Sequence, residues 1–187
     1  PNNEMIELVW SSNNGLTWST PKNISAAVAS GSHDQGINLS TGPNGEVYAA
    51  WAIYDAWPGG EDAIGFAKST DGGVNWAPAT RAYSALNFGI RGNLKPTSIR
   101  VSSFPSMAVD RTNGPGRGTI YITWPQRGVA PAGSDPDIVM MKSTDGGTTW
   151  SAPVRVNNDP LNNGKDQYYP WMTVDQTTGH VYSVWYD

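Results

Sequence analysis

Cysteine is absent from this 187-residue sequence, and histidine occurs only as His33 and His180. That shortage excludes a thiol nucleophile and a cysteine–histidine zinc cluster. Lack of cysteine permits an oxidising compartment without requiring one. Charge is scarce too: charged residues are 15% of the chain, and 12 basic against 16 acidic side chains leave a net charge of −4. Such a balance gives no basic footprint for nucleic acid or an anionic membrane surface. No apolar run approaches the roughly 20 residues of a membrane-spanning helix. A sustained i, i+3, i+4, i+7 apolar face is also missing, because Pro or Gly interrupts nearly every window. Helix is therefore not expected, and NISAAVAS at 23–30 is too short to change that class. The numbered chain opens on Pro1 without a signal peptide, as a mature or trimmed form would.

What the chain has in quantity is turn and strand chemistry. Its 21 Gly and 14 Pro point to many turns. Its nine Trp and eight Tyr suit strands. One short phrase occurs three times: KSTDGGTTW at 142–150, KSTDGGVNW at 68–76 and, blurred, WSSNNGLTW at 10–18. Between the copies runs a second pattern, an apolar strand, a Gly-containing turn and a strand written Y-x-x-W. Its instances are Tyr48/Trp51, Tyr121/Trp124 and Tyr182/Trp185. Trp51 to Trp76 is 25 residues and Trp124 to Trp150 is 26. The unit is thus about four short strands, repeating at roughly 60–75 residues, as in a propeller blade.

The phrase sits where strand three reverses into strand four. Gly147 can supply a positive φ there, Asp145 can accept from the turn N–H groups, and Ser143 can add a hydroxyl. Trp150 then leaves the turn and can bury its ring, which contributes about 2–3 kcal/mol. One turn hydrogen bond contributes about 0.5–1.5 kcal/mol, so the tryptophan stabilises more and the acid sets the geometry. Asp71 and Asp145 are read as turn formers. Calcium is the rival, but it needs six or more oxygens and each turn offers one acid. Asp110 and Asp175 are also read as turn formers. The Y-x-x-W residues recur in every unit and are read as blade core.

This phrase resembles the Asp-box, or BNR, repeat of the sialidase superfamily, S-x-D-x-G-x-T-W. Ser143, Asp145, Gly147, Thr149 and Trp150 match it fully. Ser69, Asp71, Gly73 and Trp76 match with Asn75 in place of Thr, and Ser11, Gly15, Thr17 and Trp18 match with Asn13 in place of Asp. The resemblance implies an all-β fold, a β-propeller of four-stranded antiparallel blades, sialidase-like and six-bladed when complete. This chain would cover about three blade-equivalents: the end of one blade at 1–25, a second at 34–82, a third at 104–157 and the start of a fourth at 166–187. Three blades are too few to close a ring. A piece of a larger propeller is the favoured reading, and a homo-oligomer that completes the ring is the alternative.

If the Asp boxes lie at one end of the blades, the long connections 26–36, 54–62, 82–103, 125–136 and 157–169 gather at the other, where sites are usually built. By the family resemblance that end is also the substrate face. The connections carry Arg91, Lys95, Arg100, Arg127, His33, Asp34, Asp55, Trp57, Glu61, Asp62, Asp166, Tyr168 and Tyr169. Arginines grip carboxylates bidentately, exposed aromatics stack on sugars, and a carboxyl in a partly dry cleft can act as acid or base. Arg91, Arg100, Arg127, Trp57 and Tyr168 are the candidate glycan contacts, and Asp34 and Asp166 the candidate acid/bases. Tyr168 and Tyr169 cannot both point inward on a strand, so one packs. No cofactor and no metal are expected.

The resemblance implies a secreted or cell-surface protein that binds a glycan or glycoconjugate, or hydrolyses a terminal acidic sugar with retention. The family's R-I-P arginine motif is absent, and its Tyr–Glu nucleophile pair finds no assignment. The alternative is therefore a non-catalytic extracellular scaffold or protein-binding module.

Overall fold

A computed structural model describes residues 4–28, 32–92, 94 and 99–187. Lys95 lies outside the described residues. Twelve strands, and no helix among the described residues, form four antiparallel sheets. The first is a two-stranded pair, β1 (Glu7–Leu8) with β2 (Lys22–Asn23). Two whole sheets of four follow in simple up-and-down order. One is β3 (His33–Thr41), β4 (Val47–Tyr54), β5 (Ala63–Ser69) and β6 (Thr80–Ser84). The next is β7 (Ser106–Val109), β8 (Ile120–Gln126), β9 (Asp137–Ser143) and β10 (Val154–Arg155). The last sheet is again a pair, β11 (Tyr168–Val174) with β12 (Val181–Tyr186).

The side-chain alternation of β4 decides what lies on either side of its sheet. Ala49, Trp51 and Ile53 pack with Ile6 and Ile24 of the first pair. Tyr48 and Ala50 pack the other way, with Met107, Ile120, Ile122 and Trp124 of the next sheet. Both faces of a middle sheet are thus dry, which is why VYAAWAIY reads as one apolar run. The inner strands are tied side by side: Met107 N–H donates to Asn38 Oδ1 at 3.2 Å, and Met172 N–H to Ser106 Oγ at 3.0 Å.

Each Asp box closes as its residues require. Asp145 Oδ1 accepts from Ser143 Oγ at 2.7 Å and Thr149 N–H at 2.9 Å, and Asp145 Oδ2 accepts from Thr149 Oγ1 at 2.6 Å. Asp71 does the same with Ser69 and Asn75. In the blurred copy Asn13 Oδ1 accepts from Thr17 N–H at 2.9 Å while its amide donates to Thr17 Oγ1 at 2.8 Å. These oxygens face N–H and O–H donors, so the turn role holds over the calcium one. The boxes also join neighbouring sheets. Gly147 sits at φ +82°, and a Cβ there would overlap the Phe66 ring of the preceding sheet. Lys68 Nζ donates to Gly146 O at 3.1 Å, and Lys22 Nζ to Val74 O.

Two expectations for the aromatics fail at the chain's ends. Tyr48, Trp51 and Trp124 are buried core, but Tyr182 is 53% exposed. Trp76 and Trp150 are half-buried, but Trp18 is 62% exposed. The reason is geometric: Tyr182 and Trp18 lie on the half-sheets, where among the described residues no further sheet covers the free face.

Candidate functional site

Gly72 N–H donates to Gly45 O at 3.2 Å, which puts the Asp-box turn and the β3–β4 turn at one end of the sheet. The long connections therefore gather at the opposite end, and three of them are knitted around one acid. Glu61, between β4 and β5, is completely buried. Its Oε1 accepts from the Tyr54 hydroxyl and from Ser103 N–H, both at 2.8 Å, and its Oε2 from Arg91 N–H at 3.4 Å. Its backbone carbonyl accepts from Gly89 N–H at 3.1 Å. Neighbouring Asp62 accepts from Asp55 N–H at 3.0 Å and Asn87 N–H at 2.8 Å. Arg127 joins from the next sheet, its backbone N–H on Phe88 O at 3.0 Å and its Nε on Gly89 O at 3.2 Å.

Two of the candidate arginines are thereby placed around Glu61. Burial pushes the Arg127 guanidinium pKa down, against the opposing charges of Asp166 and Glu61. Arg91 lays its guanidinium 4.1 Å above the Trp57 ring and donates to Pro58 O. The same Trp57 stacks on His33 at a centroid distance of 3.8 Å. His33 Nε2 lies 3.0 Å from Glu4 Oε2. Trp57 remains 44% exposed, yet its ring already holds an imidazole and a guanidinium.

Arg100 is exposed, and its carbonyl accepts from the Tyr169 hydroxyl at 2.8 Å. Of the two adjacent tyrosines, Tyr168 packs against the Ile90, Leu94 and Val101 cluster and stacks on Tyr186 at 5.5 Å. Tyr169 takes φ +50° beside a register shift in β11 and turns outward.

The two candidate acids sit in different surroundings. Asp166 faces Arg127 at the rim. Asp34, 3% exposed, points into the layer between the first pair and the β3–β6 sheet. Burial raises its pKa, while Ser25, Trp51 and Arg81 oppose that rise. Those neighbours stand outside hydrogen-bonding geometry, so both carboxyl oxygens and Trp51 Nε1 lack a direct protein partner. Arg81 is held in a forked pair with Asp55, one arm at 2.8 Å.

The Tyr54–Glu61 pair is the element that sequence reasoning missed. A Gly-Gly-Glu-Asp run just before an apolar strand is its only local hint. Burial, then the Glu61 charge, raise the Tyr54 hydroxyl pKa far above that of a free tyrosine. The Tyr54 hydroxyl donates to Glu61 Oε1, and both side chains are fully buried. Among the described residues no three His, Cys, Asp or Glu side chains group as a metal site would. No helix there is long and apolar enough to cross a membrane.

The BNR/Asp-box repeat family model matches residues 141–152. Solved structures share the fold. The intramolecular trans-sialidase from Ruminococcus gnavus, solved with oseltamivir carboxylate, has a TM-score of 0.52 at 18% identity, over 89% of this chain and 29% of that one. The chain carries an Asp-box repeat at residues 141–152 and shares the fold of these sialidase structures. The leech intramolecular trans-sialidase superposes with a TM-score of 0.51 at 15% identity, over 96% of this Asp-box chain and 32% of its own. An N-acetylgalactosamine deacetylase from F. plautii, solved with blood group B trisaccharide, gives 0.50 at 18% identity, over 88% of this chain and 49% of that one. The Asp-box chain thus spans about a third to a half of these chains' length. No curated protein matches it significantly.

Proposed function

We propose that this Asp-box chain binds an acidic glycan at the rim opposite its Asp boxes. The observation that carries this is that Arg91 and Arg127 sit on connections that meet near the buried Glu61, Arg91 through its N–H on Glu61 and Arg127 through Phe88 O and Gly89 O, with the charge of Asp166 acting on Arg127. A half-buried guanidinium keeps little of its water and gains most from a carboxylate ligand. Arg100, Tyr168 and exposed Tyr169 extend the same rim and could hold the sugar's other faces. A secreted or cell-surface location goes with such a ligand. The segments 1–25, 34–82, 104–157 and 166–187 would form one arc of a larger propeller around it.

If the arc also hydrolyses its ligand, Asp166 is the better placed acid/base, because Asp34 is turned away from the rim. A second reading, a non-catalytic scaffold, is favoured by two observations. The Tyr54 hydroxyl is closed off inside the fold, and the Trp57 ring is already engaged.

Glycan-array binding and turnover of a fluorogenic sialoside, measured on the same protein, test the proposal. Sialylated probes should bind, and Arg127→Ala should weaken them by roughly tenfold to a hundredfold. Turnover abolished by Asp166→Ala would add the hydrolase. Unchanged binding in Arg127→Ala, or preference for neutral glycans, overturns the reading.

A further inference from the structure

Two joints between neighbouring sheets share a backbone pattern and differ in their side chains. Where the β7–β10 sheet meets the last pair, Ile138 N–H donates to Asn157 Oδ1 at 2.9 Å, Val156 N–H to Ile138 O at 2.8 Å, and Gln167 N–H to Pro136 O at 3.0 Å. Where the first pair meets the β3–β6 sheet, Ile6 N–H donates to Ser25 Oγ at 2.9 Å, Ile24 N–H to Ile6 O at 2.9 Å, and Asp34 N–H to Glu4 O at 3.3 Å. Ser25 therefore stands where Asn157 stands, and Asp34 where Gln167 stands.

In the later joint the Asn157 amide donates to Gln167 Oε1 at 3.4 Å and to Asp137 Oδ1 and Asp159 Oδ1, both at 2.6 Å, and the Gln167 amide donates to Asp187 Oδ1 at 3.2 Å. In the earlier joint Ser25 has no amide to offer. Its hydroxyl turns to Asn23 Oδ1 at 3.4 Å, and Asp34 is shorter by a methylene than the glutamine it replaces. Asp34 pairs with Ile53 in the ladder, so its carboxylate shares the face of Trp51 and Ile53, toward Ile6 and Ile24. Both carboxylate oxygens and Trp51 Nε1 are buried on that face, and none has a hydrogen-bond partner among the described residues. Buried polar atoms in native folds are paired with protein or with ordered water.

We propose that the joint of the first pair with the β3–β6 sheet is a binding site for one water molecule, which accepts from the Trp51 indole N–H and donates to the Asp34 carboxylate and to Ser25 Oγ. It does there what the Asn157 amide does in the later joint, and it ties the two sheets together. The donor set selects the occupant. A calcium ion needs six or more oxygens, and any cation would meet the indole N–H. An anion would meet the Asp34 carboxylate. A neutral molecule that both donates and accepts satisfies all three groups, and about three hydrogen bonds are usual for a buried water. Counted from Ile6 and Ile138, and from Ser25 and Asn157, Met5 and Ala27 hold the places of Asp137 and Asp159, so neither of those acids has a counterpart to compete for it.

This site goes beyond the glycan reading and its readout involves no sugar. A crystal structure of the protein fine enough to resolve ordered water should show one peak about 3 Å from both the Asp34 carboxylate and Trp51 Nε1. Ser25→Asn should lose that peak, with the introduced amide donating to Asp34 directly. A second readout needs no variant: in solution the Trp51 indole N–H should give a water-selective nuclear Overhauser cross-peak. If Ser25→Asn does not fold, the parent crystal and that cross-peak still decide. A direct Asp34–Trp51 or Asp34–Ser25 hydrogen bond with no water between overturns the proposal. So does a metal ion at the site, a missing cross-peak, or a water peak that persists beside the new amide.

Discussion

The Tyr54 hydroxyl donates to Glu61 Oε1 at 2.8 Å inside the fold, which ties the end of β4 to the acid that also accepts the Arg91 N–H. Ser103, 42 residues further along the chain, donates to the same oxygen. Removing the carboxylate strands the Tyr54 hydroxyl and the Ser103 and Arg91 N–H groups. Each buried unsatisfied donor costs about 1–3 kcal/mol. Glu61→Ala should therefore lose more than about 3 kcal/mol in urea unfolding, and Tyr54→Phe roughly 1–2 kcal/mol. A Glu61→Ala protein as stable as the parent would show that the hub is not a staple.

Asp34 should make the fold weaken as pH rises. Burial lifts its folded pKa above the unfolded value, so its contribution is complete below about pH 3.9 and is lost as pH climbs through the folded pKa. Asp34→Asn should raise the urea midpoint at about pH 7 and leave it unchanged near pH 3. A parallel pair of midpoint curves across that range would contradict the burial argument.

The box aspartates act with the opposite sign. Asn75 N–H and its amide, then the Ser69 hydroxyl, hold Asp71 down to about 2. Thr149 and Ser143 hold Asp145 lower still. Their contribution is full above the unfolded value of about 3.9 and is lost as pH falls through the folded pKa. Asp71→Asn and Asp145→Asn should flatten the acid limb of the stability curve below about pH 4. Asn13→Asp should steepen it, since Thr17 N–H already points at that side chain.

Gly147→Ala should be costly for two separate reasons. The backbone sits in the left-handed region, and the added methyl would meet the Phe66 ring. Together these predict a loss of roughly 2–3 kcal/mol by thermal or urea melting. Gly72→Ala shares the positive φ with nothing near its Cβ position, so it should lose only about 1 kcal/mol. Equal losses at the two glycines would remove the inter-sheet contact from the account.

Residues close together in the chain dictate the repeat, the strand order and the turn chemistry. Ser143, Asp145, Gly147 and Thr149 close their turn within seven residues, so the phrase is legible wherever it is printed. The all-β class was legible for the same local reason, alternating apolar strands broken by Gly and Pro. What the long connections do emerges only when the sheets pack. Glu61 gathers donors from 30 and 42 residues away, and no local pattern encodes such a meeting. Burial likewise follows from packing. Asp34 and Asp166 share a D-Q setting in the sequence, yet one is sealed between sheets and the other faces Arg127. Tyr48 and Tyr182 share a motif, yet among the described residues only Tyr48 has a sheet packed on its far side. A side chain's surroundings depend on which sheet packs beyond it, and the repeat, alike in every unit, carries no record of that.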